Sequence, residues 1–319
     1  MSDLTSAQRQ VLALCSLTSA GDRCDWGVLA RQAHRERSLD GLLAGDMHED
    51  SARAHTTAWV LKTATADSWT AAWERADFEH RAAAAVGARL TTVLDDDFPL
   101  NLRLIHNLPP FLFYRGGLDA GSDAHSVAVV GTRSATPEGI RQTRRVVRSL
   151  TGASITVTSG LAIGIDAAAH RETLACGGRT IAVLPSGITR VAPAANRDLG
   201  EAIVESGGLI VSQFFPTATP ARWTFGKRNE VTSGISQGTV VIEASGTSGA
   251  RMQARLAYEH GKRVFLLDTL VGQQPWAQQM VERRRAVIVS CIEEITSRVV
   301  SPDRVRDVSD LLHVEPALL

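Results

Sequence analysis

Residues 157–170, Val157-Thr158-Ser159-Gly160-Leu161-Ala162-Ile163-Gly164-Ile165-Asp166-Ala167-Ala168-Ala169-His170, pass from a β-branched run through two glycines into an alanine-rich segment. The order reads as strand, tight turn, helix. Gly160 and Gly164 let the backbone bend sharply and approach a ligand, and the free N–H groups at the start of the helix favour an anion. Upstream, Ser126-Val127-Ala128-Val129-Val130 ends in Gly131-Thr132-Arg133 and leads to Thr136-Pro137-Glu138: an N-cap, a proline in the first turn and an acid at the positive end of the helix dipole. Two such turns on one sheet suit a phosphate. Neither matches the Walker motif or a strict GxGxxG, so a plain strand-to-helix turn is the competing reading for each.

Outward from these loops the same texture continues. Strands are expected at Arg89–Leu94, Ser126–Val130, Ile155–Thr158, Arg179–Leu184, Gly208–Ser212, Thr239–Glu243 and Arg263–Leu267, with Phe111–Tyr114 as an edge strand and Ala286–Val289 closing the sheet. Helices are expected at Pro137–Leu150, Ile165–Cys176, Asn196–Ser206 and Gly249–His260. Short, nearly all-apolar strands alternating with helices predict an α/β fold, an extended Rossmann-like, doubly wound and mostly parallel sheet, with ligand loops at the carboxyl ends of the strands. Before it, Leu4–Leu17, Trp26–Arg37, Ala52–Thr65 and Ser68–Val86 read as helices, with a loop at Gly41, Gly45 and Asp46 and with Trp26, Trp59, Trp69 and Trp73 packing a small core. The expected division is a helical N-terminal domain (1–88), the sheet domain (89–298) and a C-terminal tail (299–319).

The chain has 34 basic and 34 acidic residues, so its summed charge exerts no long-range pull on a polyanion, and a nucleic-acid site has to be a local patch. Cys15, Cys24, Cys176 and Cys291 form no CxxC pair, and His34, His48 and His55 have no ligand spacing, which argues against a metal site and a disulfide framework. No apolar run approaches the roughly 20 residues that span a bilayer. The expectation is a cytoplasmic protein without cofactor or membrane partner.

Two more loops carry chemistry. Phe225-Gly226-Lys227-Arg228-Asn229-Glu230, read as a loop preceding an apolar helix, clusters two cations beside an Asn. Arg forks match phosphate oxygens, and a solvated helix start is the alternative. Glu243-Ala244-Ser245-Gly246-Thr247-Ser248-Gly249-Ala250 again runs from strand through glycines to helix, its hydroxyls and N–H groups suiting sugar or phosphate. Glu243 is open to three roles: holding a ribose hydroxyl, ordering the loop, or acting as an acid or base. Ser159, Ser248 and His170 lack the glycine elbow of a hydrolase triad, so no catalytic residue is assigned.

Taken in order, these motifs resemble the DNA-processing protein A family (DprA, also called Smf) from about Ala85 to Ile295. The resemblance rests on Val86-Gly87-Ala88, Asp97-Phe98-Pro99, Pro109-Pro110-Phe111-Leu112-Phe113, Val130-Gly131-Thr132-Arg133, Ser159-Gly160-Leu161-Ala162, Gly164-Ile165-Asp166, Ala169-His170, the Gly178–Leu184 run, Phe225 with Arg228-Asn229, and Val241-Ile242-Glu243-Ala244 followed by Ser248-Gly249. It implies a non-enzymatic protein that binds single-stranded DNA, forms homodimers and hands the strand to a RecA-type recombinase during DNA uptake and recombination. It implies that Arg133 and Arg228 hold phosphates, that Gly131, Ser159, Gly160 and Gly164 shape the anion pocket, and that Asn229 supports it; Thr132, Ser248 and Gly249 join the candidate site from their glycine loops, and Lys227 on charge alone.

This sequence departs from the family pattern in places. Ile163 and Glu230 stand where the family usually has Arg, which is expected to weaken DNA binding. Ala250-Arg251-Met252-Gln253 replaces Ser-Leu-Ile-Thr, Asp268-Thr269 replaces Pro-Gly, and Gln273-Gln274-Pro275-Trp276 lacks the Gly-Thr-Asn stretch. Arg251 or Arg255 is the candidate to compensate. No winged-helix domain is expected after Ile295. The lost cations leave a second reading, a nucleotide-binding sensor or phosphoribohydrolase-like enzyme of the same Rossmann group, with Glu243 in glycosidic-bond cleavage.

Overall fold

A computed structural model describes residues 4–290 and 293–299. Cys291 and nearly all of the expected 299–319 tail lie outside the described residues. The strands are β1 (Thr18–Ser19), β2 (Asp22–Arg23), β3 (Arg89–Thr92), β4 (Phe111–Gly116), β5 (Ser126–Val130), β6 (Thr156–Ser159), β7 (Thr180–Val183), β8 (Leu209–Ser212), β9 (Gly238–Val241), β10 (Arg263–Leu267) and β11 (Val287–Val289). β3 to β11 form one sheet in the order β11-β10-β9-β5-β6-β7-β8-β4-β3. Every pair from β11 to β8 is parallel, and β4 runs antiparallel to both β8 and β3.

The inner parallel strands are covered on both faces, which is why they read as unbroken apolar runs: all of β5 is buried. The expected α/β, mostly parallel architecture is what the chain adopts. Phe111–Gly116 is not at the edge, however. After Pro109-Pro110 it runs between β3 and β8, leaving β3 as the edge.

In the N-terminal part, helices Ser6–Ser16, Trp26–Glu36, Ala52–Thr63 and Ala66–Ala84 start at Thr5, Asp25, Ser51 and Thr65, each accepting a backbone N–H of the first turn. The loop expected around Gly41 contains a short helix, Asp40–Ala44, ended by Gly45 at φ +76°. Trp26, Trp69 and Trp73 pack on the core, whereas Trp59 faces solvent. Leu12, Leu29 and Leu42 from these helices join Phe111, Phe113 and Ile210 of the sheet in one apolar cluster. Trp26 ties the two parts together: its ring lies 5.1 Å from Phe111 and 5.4 Å from Phe215, and its Nε1 donates to the Cys15 carbonyl at 2.9 Å. Glu79, fully buried, adds a polar tie by accepting from the Thr217 N–H (2.9 Å) and hydroxyl (2.7 Å) while pairing with Arg75.

Candidate nucleic-acid interface

The strand order reverses at β5: β6, β7 and β8 follow on one side, β9, β10 and β11 on the other. At such a switch point two adjacent strands send their following segments to opposite faces and open a crevice beyond their carboxyl ends. A cavity of about 370 Å³ lies there. Gly131, Thr132 and Arg133 after β5, Gly160 after β6, Arg228 and Asn229, and Ser248 and Gly249 line it together.

Arg228 and Asn229 reach the cavity from a helix, Thr224–Ile235, and not from a loop before one. Arg228 is only 8% exposed. Its Nη1 lies 3.8 Å from Asp166 Oδ2, its Nε has no hydrogen-bond partner, and its guanidinium makes no hydrogen bond of ordinary length among the described residues. Burial lowers its pKa against the attraction of Asp166. A buried guanidinium with open donors is costly unless an anion completes it. Arg133, more exposed, lies over the Phe225 ring at 5.1 Å. One cation is fixed inside the cavity and a second stands beside an aromatic face.

The glycines are demanded by these neighbours. A Cβ on Gly160 would fall 1.2 Å from Arg228 Nη1, and one on Gly131 would fall 2.5 Å from the Ile165 side chain. Gly164, at φ +88°, packs against the carbonyls of Thr132 and Arg133, so it braces the cavity from behind without lining it. Leu161, buried at φ +55°, has its carbonyl held by Asn196 Nδ2 at 2.8 Å. The turn after β6 is locked in a shape that L-residues rarely adopt.

Asp166 changes the expected use of the loop amides. Its buried carboxylate is pushed up in pKa by desolvation, opposed by Arg228 and by the facing backbone amides of Ala162, Gly131 and Gly160. The amides that favour an anion therefore already face one of the protein's own. The groups left facing the cavity are Arg228, Arg133 and the start of helix Gly249–Glu259, where Ser248 Oγ caps the Arg251 N–H at 3.3 Å.

Four expected residues stand elsewhere. Ser159 is buried and spends its hydroxyl on the Val129 carbonyl at 2.6 Å. Gly164 is the brace just described. Lys227 faces the other side of its helix and pairs with Glu230 at 3.1 Å, which also turns the Glu230 carboxylate away from the cavity. Glu243 accepts from the Thr136 N–H at 3.0 Å and from its hydroxyl, and a Cβ on Gly139 would fall 2.2 Å from its Oε2. Of its three open roles the geometry supplies loop ordering. Arg251 donates to the Gly246 carbonyl at 2.7 Å and Arg255 pairs with Glu259 at 3.3 Å, so neither replaces the missing cations in the cavity. Ile163 is 52% exposed.

Sequence reasoning assigned no role to Asp166, Arg222, Met252 or Gln253, all of which line the cavity. His170 lies behind the site, fully buried, with its pKa lowered to about 3 by burial and by the charges of Arg228 and Arg171. Because the Thr180 hydroxyl donates to the Val157 carbonyl (2.7 Å), it accepts from His170 Nδ1 (2.7 Å), which fixes a neutral Nδ1–H imidazole. No group of His, Cys, Asp and Glu arranged to hold a metal occurs among the described residues, and none of their helices is long and apolar enough to cross a membrane.

Known proteins agree with this architecture. The family model described as DNA recombination-mediator protein A matches residues 89–300. A protein Smf from Synechocystis sp. is 41% identical over 176 residues, covering 54% of this chain and 44% of that protein, so the aligned stretch is under half of the relative's length. The X-ray structure of DNA processing protein A from Streptococcus pneumoniae matches with a TM-score of 0.70 at 25% identity, covering 94% of this chain and 99% of that one. A DNA processing protein A from Helicobacter pylori, described for its single-stranded DNA binding mode, matches with a TM-score of 0.57 at 24% identity over 66% of this chain and 94% of its own. With two thirds of its length matched by the family model and the loops after β5 and β6 meeting Arg228, Asn229, Ser248 and Gly249 at one cavity, the chain belongs to the DNA recombination-mediator protein A family, the DprA/Smf proteins of DNA processing.

Proposed function

We propose that the cavity holds the phosphate backbone of single-stranded DNA, and that the protein, acting as a homodimer without catalytic chemistry of its own, protects incoming strands and delivers them to a RecA-type recombinase. The observation that carries this reading is Arg228: a guanidinium buried in an open cavity, its donors unfilled, beside an Asp166 too far away for a hydrogen bond. Arg133 over Phe225 supplies a second phosphate contact next to a ring on which a base can stack. The single-stranded DNA binding mode described for the Helicobacter pylori relative accords with it.

A cavity of about 370 Å³ is also large enough for a free nucleotide, the second reading. That reading supports an enzyme poorly, because Glu243 is engaged by Thr136 and the carboxylate that does line the cavity, Asp166, is buried behind Arg228. Competition separates the two. Labelled oligo-dT is displaced from the protein by unlabelled oligo-dT but not by the same strand in duplex or by thymidine monophosphate at equal phosphate concentration. Equal displacement by the mononucleotide contradicts the single-strand reading.

A further inference from the structure

Helix Thr224–Ile235 separates the anion cavity from a second, larger one of about 620 Å³ lying between the sheet and the N-terminal helices. The helix and the turn before it are sorted by side: Arg222, Phe225 and Arg228 face the first cavity, while Trp223, Lys227 and Glu230 face the second. Trp223 is 65% exposed, the most exposed of the large apolar residues among the described residues, and is held edge-on by Phe214 at 5.7 Å. A large aromatic ring held at its place by Phe214 yet largely in solvent at a helix start offers a stacking platform.

The second cavity is lined by five cations, Arg23, Arg31, Arg53, Arg75 and Lys227, against the acids Asp25 and Glu230. Arg31 is committed to Glu49, Arg75 to the buried Glu79, and Lys227 to Glu230. Arg53 is held only loosely, 3.6 Å from Asp25, and its side chain is largely in solvent. Arg23 lies on the exposed β1–β2 hairpin with no ion pair among the described residues.

We infer that this cleft is a second strand-binding site: single-stranded DNA leaving the Arg228 cavity stacks a base on Trp223 and runs on between Arg23 and Arg53, which gives the N-terminal helices a direct part in holding the strand. The inference rests on the single-strand reading above. The two cavities are one helix apart, about 10 Å, which an extended strand crosses without a break. Aromatic faces interleaved with guanidinium groups are the chemistry of sequence-tolerant strand binding.

The test compares the full chain with Trp223→Ala, Trp223→Phe and the double variant Arg23→Ala/Arg53→Ala, on oligo-dT of about 4 and about 15 nucleotides. Wild type binds the longer strand more tightly. Trp223→Ala lowers affinity for the longer strand by about tenfold while leaving the shorter one unchanged, and Trp223→Phe restores most of it. The arginine double variant reduces the salt slope for the longer strand by about 1.4, at about 0.7 per phosphate contact, and leaves the slope for the shorter strand as it was. If the advantage of the longer strand persists in both Trp223→Ala and the arginine variant, the second site is overturned while the first stands. If wild type binds neither length, both readings fall.

Discussion

Gly160 is where sequence and site meet most tightly, because a single methyl there would occupy the position of a guanidinium nitrogen. The atom in the way ends a flexible side chain, so Gly160→Ala displaces Arg228 and leaves the sheet intact. Thermal unfolding is expected to report a loss under about 2 kcal/mol, with strand affinity falling by as much as in Arg228→Ala. A fully active, normally stable Gly160→Ala contradicts the placement of Arg228. Ile163 makes the opposite prediction. It is exposed on the turn before Gly164 where the family usually carries a cation, so Ile163→Arg raises oligo-dT affinity at low salt and steepens the salt slope by about 0.7. His170 reports pH. Its folded pKa, about 3, lies below that of a free imidazole, about 6.5, so as pH falls the unfolded chain takes up the proton first and native stability is lost. The stability advantage of wild type over His170→Gln in urea unfolding therefore shrinks by about 2 kcal/mol between about pH 7 and about pH 5. No change with pH contradicts the buried neutral imidazole.

At the scale of elements, legibility followed length and local chemistry. Strands Ser126–Val130 and Arg263–Leu267 have the bounds their apolar runs predict, and Thr136-Pro137 opens its helix as N-cap and first turn. The start of helix Thr224–Ile235 was hidden, so that its first turns read as a loop before the expected apolar helix, because they hold β-branched Thr224, aromatic Phe225 and Gly226, with Trp223 at the N-cap making no side-chain cap bond. The β1–β2 hairpin and helix Asp40–Ala44 are too short to show periodicity. Within the site, the convergence of Gly131, Arg133 and Gly160 follows from strand-end loops meeting at a switch point, whereas Arg228 joins them from a helix. The fate of the Ser159 hydroxyl and the approach of Asp166 to three loop amides depend on tertiary neighbours that no local pattern encodes. The Thr136–Glu243 contact joins two such loops, and it is testable as an element. Thr136→Ala, Glu243→Gln and the double variant are expected to show a coupling energy of about 1 kcal/mol in a double-mutant cycle, with strand affinity within about twofold of wild type. A large loss of function in Glu243→Gln with unchanged stability would instead give that carboxylate a direct role.

For the whole molecule, zero formal net charge makes the site's few cations decisive. With no long-range pull on a polyanion, the proposed strand binding depends on the local meeting of Arg228, Arg133 and Phe225. The apolar cluster shared by the N-terminal helices and the sheet, with the Glu79–Thr217 tie, fixes those helices beside the segment that precedes Arg228. The measurement that bears most directly on this account is binding of fluorescent oligo-dT across a salt series for wild type, Arg133→Ala and Arg228→Ala. The account predicts affinity that falls with salt, a slope reduced by about 0.7 in each variant, and the larger loss of affinity in Arg228→Ala, whose cation is already in place before the strand arrives. Binding that is insensitive to salt, or unchanged when Arg228 is removed from a folded protein, contradicts it.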